Sequence, residues 1–252
     1  MDDPGERLEG GRDLGAYLVD STVRRVARPH TPTVHNLLRH LAEVGFAGAP
    51  RVIGYDALGR EELTYLPGET VGAEFPWPAW VHGDHALLEV ARWLRDYHRA
   101  VATFEPRPGS VWREGGVWRP GLIVAHGDPG PYNAVWNGDL VGFIDWDNAA
   151  PVARADDLAW TAFSWVPLHS PALARKEGFR EPTRRRERLK MFLDAYGGHD
   201  LNDVLDRLDR LLVERVLAMG QQAAAGDAAY RRLLDDGYAQ HLENARSTLR
   251  DL

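Results

Sequence analysis

The stretch from Leu122 to Asp147, LIVAHGDPGPYNAVWNGDLVGFIDWD, constrains this chain more than any other part of it. An apolar run ends in His126-Gly127-Asp128 and reads as a short buried strand. Pro129, Gly130 and Pro131 then break any regular pattern as far as Asn133. Two further apolar runs, Ala134 to Trp136 and Leu140 to Ile144, flank Asn137-Gly138. That is the signal of a hairpin closed by a type I′ turn, in which both central residues take positive φ. Such a hairpin folds Asp145 back towards the loop that carries Asp128 and Asn133. Two carboxylates and an amide then meet at the mouth of a small sheet, a set of hard oxygen donors that suits a metal-assisted site.

The bulk properties exclude several other classes. A chain of 252 residues can bury a substantial core, as one domain or as two lobes. Its formal charge of −7 and pI near 5.8 argue against general binding to nucleic acid or to an anionic membrane. There is no cysteine, so disulfides, thiolate catalysis and cysteine-zinc sites are ruled out. No apolar run approaches the roughly 20 residues of a membrane span. The first residues, MDDPGERLEGGRD, are acidic and polar, unlike a signal peptide. A cytoplasmic location is therefore expected.

Along the chain, residues 1–13 read as a loose end, followed by strands at Ala16–Val19 and Thr22–Ala27 around Asp20-Ser21. Gly10, Gly11 and Gly15 read as turn residues in preference to a phosphate loop. Thr31-Pro32 opens a helix, with Thr as the cap and Pro at the first helical position, and Val34, Leu37, Leu38 and Leu41 make its buried stripe. Strands at Arg51–Tyr55 and Glu62–Leu66 precede a break at Pro67-Gly68. A helix from Asp84 to about Val101 comes before the central stretch. After it, Asp156-Asp157 caps Leu158–Trp165, and residues 167–186 read as irregular and basic. Helices follow at Glu187–Tyr196, from Leu201 to about Ala225, and from Ala228 to about Leu249. Asp200, Asp203, Asp206 and Asp209 drift around their helix and read as a solvated face, whereas Trp77, Trp80, Trp112 and Trp118 read as exposed. The predicted class is α+β: a small β-rich lobe over residues 1–68, then a larger, mostly helical lobe over 69–252 that includes the central hairpin.

Phosphoryl transfer from a nucleotide needs what the central stretch offers. One carboxylate orients an attacking hydroxyl and takes its proton, while an amide oxygen and a second carboxylate hold magnesium against the phosphates. Taken singly, Asp and Asn in a loop are more often turn formers. A second HGD, His82-Gly83-Asp84, is an internal control. No apolar strand leads into it, Glu89 stands five residues past its Asp, and no Asp-bearing hairpin follows. Asp84 reads as a helix cap, so the specificity of the other copy lies in its surroundings.

The run HGDPGPYN…GFIDWD, with Asp157-Leu158-Ala159 after it, resembles the aminoglycoside phosphotransferase and choline kinase family, which has a protein-kinase-like two-lobe fold. Leu63 to Gly68 is similar to that family's hinge, Leu94 to His98 to the helix before its catalytic loop, and Arg184 to Tyr196 to a later helix ending in Tyr-Gly. The resemblance implies Asp128 as catalytic base and Asn133 and Asp145 as Mg2+ ligands, with ATP or GTP as co-substrate. It implies nucleotide contacts from Arg25, Thr64, Tyr65 and Leu66. His126 and Asp157 are expected to support the loop, and Asp147 is a further candidate at the metal or the acceptor. The acceptor is expected to be a hydroxylated small molecule such as an aminoglycoside, another antibiotic, a sugar, a choline-like alcohol or homoserine.

The same resemblance exposes a departure. The family pairs a strand Lys with a Glu on the next helix. Here the strand reads Val23-Arg24-Arg25-Val26, and the helix has His35 where the Glu is expected. Strand alternation lets only one of the two arginines face the site, and a histidine cannot hold it by a salt bridge. Arginine is a planar fork and not a compact point charge. Two other classes therefore stand beside the kinase: a kinase-like binding or regulatory protein without turnover, and a metal-dependent hydrolase. The hydrolase needs a further His or carboxylate cluster, which the sequence lacks at ligand spacing.

Overall fold

A computed structural model of the protein describes residues 5–8, 15–72, 75–180 and 184–252. Short segments near the N-terminus, rich in apolar residues and in paired charges, build a five-stranded antiparallel sheet. Its strands are β1 (Glu6–Leu8), β2 (Ala16–Val19), β3 (Thr22–Val26), β4 (Val52–Tyr55) and β5 (Arg60–Thr64), in the order β1-β2-β3-β5-β4. Part of the expected loose end is thus a strand, since Glu6–Leu8 pairs with β2. Gly10 and Gly11 lie outside the described residues. The turn at Asp20-Ser21 is as expected, with Asp20 at φ 54°.

Helix α1 (Thr31–Glu43) separates β3 from β4. Its stripe is where the periodicity put it: Leu37, Leu38 and Leu41 are fully buried. The cap position falls one residue early, on His30. Thr31 sits inside the helix, and its Oγ1 accepts from the Arg28 N–H at 2.9 Å.

After α2 (Ala79–His82) comes the long α3 (Asp84–Ala100). The central stretch then forms β6 (Ile123–Ala125), a 3-10 turn at Pro131–Asn133, β7 (Ala134–Trp136) and β8 (Leu140–Phe143). A second 3-10 turn at Trp146–Asn148 leads into β9 (Ala150–Val152), which pairs with β6. The hairpin β7–β8 is present, but its turn is not type I′. Trp136 pairs with Leu140 across three loop residues, a bulge precedes the turn, and of those three only Gly138 has positive φ. Asp139 takes the extra place, and its carbonyl accepts from the Asn137 N–H at 2.9 Å.

The remaining helices are α4 (Arg154–Trp165), α5 (Pro171–Glu177), α6 (Arg185–Tyr196), α7 (Leu201–Ala224), α8 (Ala228–Asp235) and α9 (Tyr238–Arg250). Two expectations are corrected here. The supposedly irregular segment holds α5, whose Ser170 caps the Leu173 N–H at 3.3 Å. The last helix is broken in two at Gly237, which has φ 78°. On α7 only Val204, Leu208, Leu212 and Met219 are buried. Asp200 is its N-cap, and Asp209 receives both ends of the Arg246 fork, at 2.8 and 2.9 Å. None of the four tryptophans expected at the surface is exposed: Trp112 is buried, and the other three are half-buried. No helix among the described residues is long and apolar enough to cross a membrane.

By its contacts the chain divides into two compact units, residues 1–74 with 92–154, and residues 75–91 with 155–252. The first unit contains the sheet, α1, the C-terminal half of α3 and the whole central stretch. An aromatic cluster holds it together: Trp93 stacks on Tyr97 at 5.2 Å, Phe143 lies 4.5 Å from Trp93, and Trp146 meets Tyr97 edge-on at 5.4 Å. Each polar end in the cluster has a carbonyl partner, as buried Trp and Tyr require. Trp93 donates to Gly48 O at 2.9 Å, Tyr97 to Val124 O at 2.5 Å and Trp146 to Phe143 O at 2.9 Å. In the second unit, buried Arg188 donates to Asp84 Oδ1 at 2.7 Å, and Arg184 reaches Asp84 Oδ2 at 3.3 Å. The carboxylate of the second HGD is thus an ion-pair partner, on the first residue of its helix.

Candidate active site

The site is built on the hairpin. The Ile144 N–H donates to Asn133 O at 2.9 Å, which closes the open end of β7–β8 and sets Asn133 beside the residue before Asp145. His126 ties the preceding loop to the same point. Its Nε2–H donates to Ile144 O at 3.0 Å, and its Nδ1 accepts from the Asp128 N–H at 3.3 Å. Those two partners assign the neutral Nε2–H tautomer. The ring is buried, 4.4 Å from the ring of Trp146. Both nitrogens of this buried imidazole are thus engaged within the loop and its hairpin.

Gly127 lies between these groups at φ 84°, and a Cβ there would press into the Asn148 carbonyl. Asn133, itself buried, donates its Nδ2 to Asp128 O at 2.9 Å. That bond fixes the amide so that Oδ1 is the end offered to a cation. The Asp128 carboxylate is held from two sides, by Tyr132 Oη–H on Oδ1 at 2.5 Å and by Asn148 Nδ2 on Oδ2 at 3.4 Å. Tyr132 and Asn148 are site residues that the sequence did not disclose.

Asp145 stands at φ 60° and ψ 66°, a left-handed conformation that Asp tolerates better than most residues. Among the described residues Asp20 is the other non-glycine with positive φ. This turn aims the next three residues back across the loop. Asp145 stays half exposed, whereas Asp147 is buried.

Arg25 faces both aspartates. Its Nη1 donates to Asp145 Oδ1 at 3.1 Å, its Nη2 to Asp147 Oδ1 at 2.6 Å and its Nε to Glu61 Oε1 at 2.6 Å. Arg24 points the other way and pairs with Glu62 at 2.7 Å, as the alternation required. Arg25 and Glu61 are direct cross-strand neighbours of β3 and β5. Burial alone would lower the Arg25 pKa, but Asp147, Glu61 and Asp145 outweigh it and raise it, so the guanidinium is permanently charged. Burial would likewise push the Asp147 carboxyl up, yet His30 and Arg25 hold it at about 2. His30 Nε2 lies 3.6 Å from Asp147 Oδ2.

His35 and Arg25 share one partner, Glu61, and the expected gap at the helix is filled through it. The His35 Nε2–H donates to Glu61 Oε2 at 2.9 Å, with both side chains almost fully buried. The carboxylate facing the arginine therefore comes from the adjacent strand. Pairing Val23-Arg24-Arg25-Val26 against Arg60-Glu61-Glu62-Leu63 would have revealed it, because opposite charges sit opposite each other across an antiparallel pair. His30 and Asn148 had no such local signal.

Of the other expected contacts, Thr64 and Tyr65 lie at the end of β5 with their N–H groups already donated to Arg51 O and Ser21 O, at 2.9 and 3.0 Å. Leu66 follows them, half-buried. Asp157 is buried in the first turn of α4, in the second unit. Among the described residues no group of three or more His, Asp or Glu side chains forms a complete metal cage. Magnesium held by an amide oxygen, one carboxylate, water and phosphates does not require one. The donor set fits such an ion, and a cation, Arg25, already sits against Asp145.

The model of the phosphotransferase enzyme family (APH) matches residues 111–192, which hold the loop, the hairpin and the segment after it. The trifolitoxin immunity protein of Rhizobium leguminosarum bv. trifolii is 35% identical over 196 residues, covering 75% of this chain and 73% of the relative. The fold is similar to that of the amicoumacin kinase hAmiN in complex with AMP-PNP, Ca2+ and Ami, at a TM-score of 0.62 and 10% identity over 94% of this chain and 84% of that one. It is also similar to wild-type aminoglycoside 2′-phosphotransferase-IIIa in its GDP complex, at 0.59 and 15% over 96% and 91%. These two likenesses establish a kinase-like α+β fold, with an N-terminal antiparallel sheet and helix followed by a largely helical region. The chain belongs to the phosphotransferase enzyme family.

Proposed function

We propose that the protein transfers the γ-phosphate of ATP or GTP to a hydroxyl of a small molecule. The observation that carries this reading is the grouping of Asp128, Asn133 and Asp145 around one hairpin end, with the Asn133 amide nitrogen bound to Asp128 O. Asp128 accepts a hydrogen bond from the acceptor hydroxyl, in the place Tyr132 now occupies, and turns its oxygen towards the phosphorus. The acceptor oxygen bonds to the γ-phosphorus, the bond from that phosphorus to the bridging oxygen breaks, and the acceptor proton passes to Asp128. Asn133 Oδ1 and an Asp145 oxygen would hold magnesium. When bound, that ion neutralises charge building on the phosphate oxygens. Arg25 contributes a fixed positive charge and two N–H donors to the phosphates. At the end of β5, Leu66 provides the hinge contact, since the Thr64 and Tyr65 N–H groups are used within the sheet.

A toxic or antibiotic-like hydroxylated molecule is the acceptor class that the immunity-protein relative and the antibiotic kinases support. The relative also favours a second reading, since immunity can come from binding a toxin without modifying it. One substitution separates the two. Asp128→Asn should retain nucleotide binding, measured as a magnesium-dependent thermal shift with ATP, ADP and GTP, and lose phosphate transfer by a factor of about 100 or more. Unchanged biological activity in Asp128→Asn would sink the kinase reading and leave the binding one.

A further inference from the structure

Glu61 is the most deeply buried carboxylate in contact with the site, at 1% exposed, and the reaction as described above does not use it. One of its oxygens takes Arg25 Nε at 2.6 Å, and the other takes His35 Nε2 at 2.9 Å. Helix α1 offers no carboxylate for this purpose, because its one acidic residue, Glu43, is exposed at the C-terminal end. His35 on that helix is fully buried, with Nδ1 unpartnered. A buried, unpaired carboxylate is costly, so a Glu kept here with both oxygens engaged has a defined orientation.

That orientation decides what the arginine can do. The guanidinium is a planar fork with donors at fixed angles. With Nε held by Glu61, the fork plane is set and Nη1 and Nη2 both point at Asp145 and Asp147. Phosphate oxygens arriving against Asp145 would meet these same two donors, and Nε need not move.

We infer that Glu61, steadied by His35, is the positioning residue that presents Arg25 to the phosphates of the nucleotide, in the role a helix glutamate would otherwise fill. This rests on the reading that the site binds a nucleotide. Nη1 and Nη2 exchange Asp145 and Asp147 for phosphate oxygens on binding, and Nε stays on Glu61 throughout. Without the Glu61 charge, Asp145 and Asp147 are the carboxylates that remain around the guanidinium, and they hold it more tightly. It then competes for the oxygen that the metal would use.

Glu61→Gln tests this cleanly. The amide oxygen can still accept from Arg25 Nε. The new NH2 can donate to His35 Nε2 once His35 moves its proton to the unpartnered Nδ1. Shape and hydrogen bonds are kept, and only the charge is lost. Calorimetric titration of wild type and Glu61→Gln with magnesium-ATP should show an affinity loss of about ten-fold or more. Adenosine, which has no phosphate, should bind both proteins equally. Equal ATP affinity in the two proteins overturns the inference, as does a parallel loss for adenosine and ATP, which would mark a merely structural role. Failure of the wild type to bind any nucleotide overturns the functional reading and this inference together.

A measurement on the wild type covers the case in which Glu61→Gln does not fold. The Arg25 Nε–H resonance, assigned by its absence in Arg25→Lys, should remain protected from solvent exchange with and without magnesium-ATP. Its loss of protection on nucleotide binding overturns the inference.

Discussion

Replacing Asp147 by Asn removes one charge from the Arg25 cluster and leaves shape almost unchanged. The size of the effect follows from the carboxyl's own equilibrium. A group moved from its ordinary value of 3.8 to about 2 on folding is stabilised when ionised by roughly 2 kcal/mol. Because the folded-state pKa is depressed, this stabilisation is fully present above about pH 4 and disappears as pH falls through about 2. Asp147→Asn should therefore lower the unfolding free energy by about 2 kcal/mol at pH 7, and the melting temperature by roughly 4–8 °C for a chain of this size. The assay is urea unfolding of both proteins at several pH values between 7 and 3. The gap between them should be constant from pH 7 to about 5 and then shrink as the wild type loses its advantage. A gap that persists undiminished at pH 3 would show that packing, not charge, accounts for it. No gap at pH 7 would refute the claim that Arg25 and His30 hold the carboxylate ionised.

Two further substitutions probe the loop and the second HGD. Gly127→Ala should cost about 1–2 kcal/mol for its left-handed backbone and more for the contact with the Asn148 carbonyl, so a melting temperature matching the wild type would contradict the loop geometry. In the second unit, Asp84→Asn takes the carboxylate from buried Arg188, whose pKa burial already lowers. A destabilisation of about 1–2 kcal/mol is expected there, with magnesium-nucleotide affinity unchanged. A loss of nucleotide binding in Asp84→Asn would show that the two HGD copies cannot be told apart by their surroundings.

Why the two copies differ was readable in the sequence. Around His126 an apolar strand precedes the motif and a hairpin follows it, and the structure has both. The motif at His82 closes a four-residue helix and opens a long one. Periodicity also located the buried stripe of α1, the strands β2 to β5 and most of the C-terminal helices, because each depends on residues only a few positions apart. Where local signals were weak, they misled. Asn137-Gly138 suggested a two-residue turn, but the ladder bulges at Val135/Trp136 and the turn takes in Asp139. Segment 167–186 hid α5, and Asp236-Gly237 broke what looked like one helix.

The amino-acid sequence by itself determined the chemistry available to this protein: a base candidate on a broken loop, an amide five residues on, a carboxylate after a strand, and no cysteine. Tertiary structure alone decided how those groups are aimed. The left-handed backbone of Asp145 depends on the Ile144 to Asn133 closure and the Trp146 packing, none of which a local pattern encodes. The arginine shows the same division. Its position on a strand could be read residue by residue, and the family resemblance, which sets a lysine there, made the site look deprived of a supporting glutamate. That support comes from Glu61, 36 residues away in sequence and directly opposite in the sheet. Charge pairs across strands are set by register, and register is settled only when the strands meet.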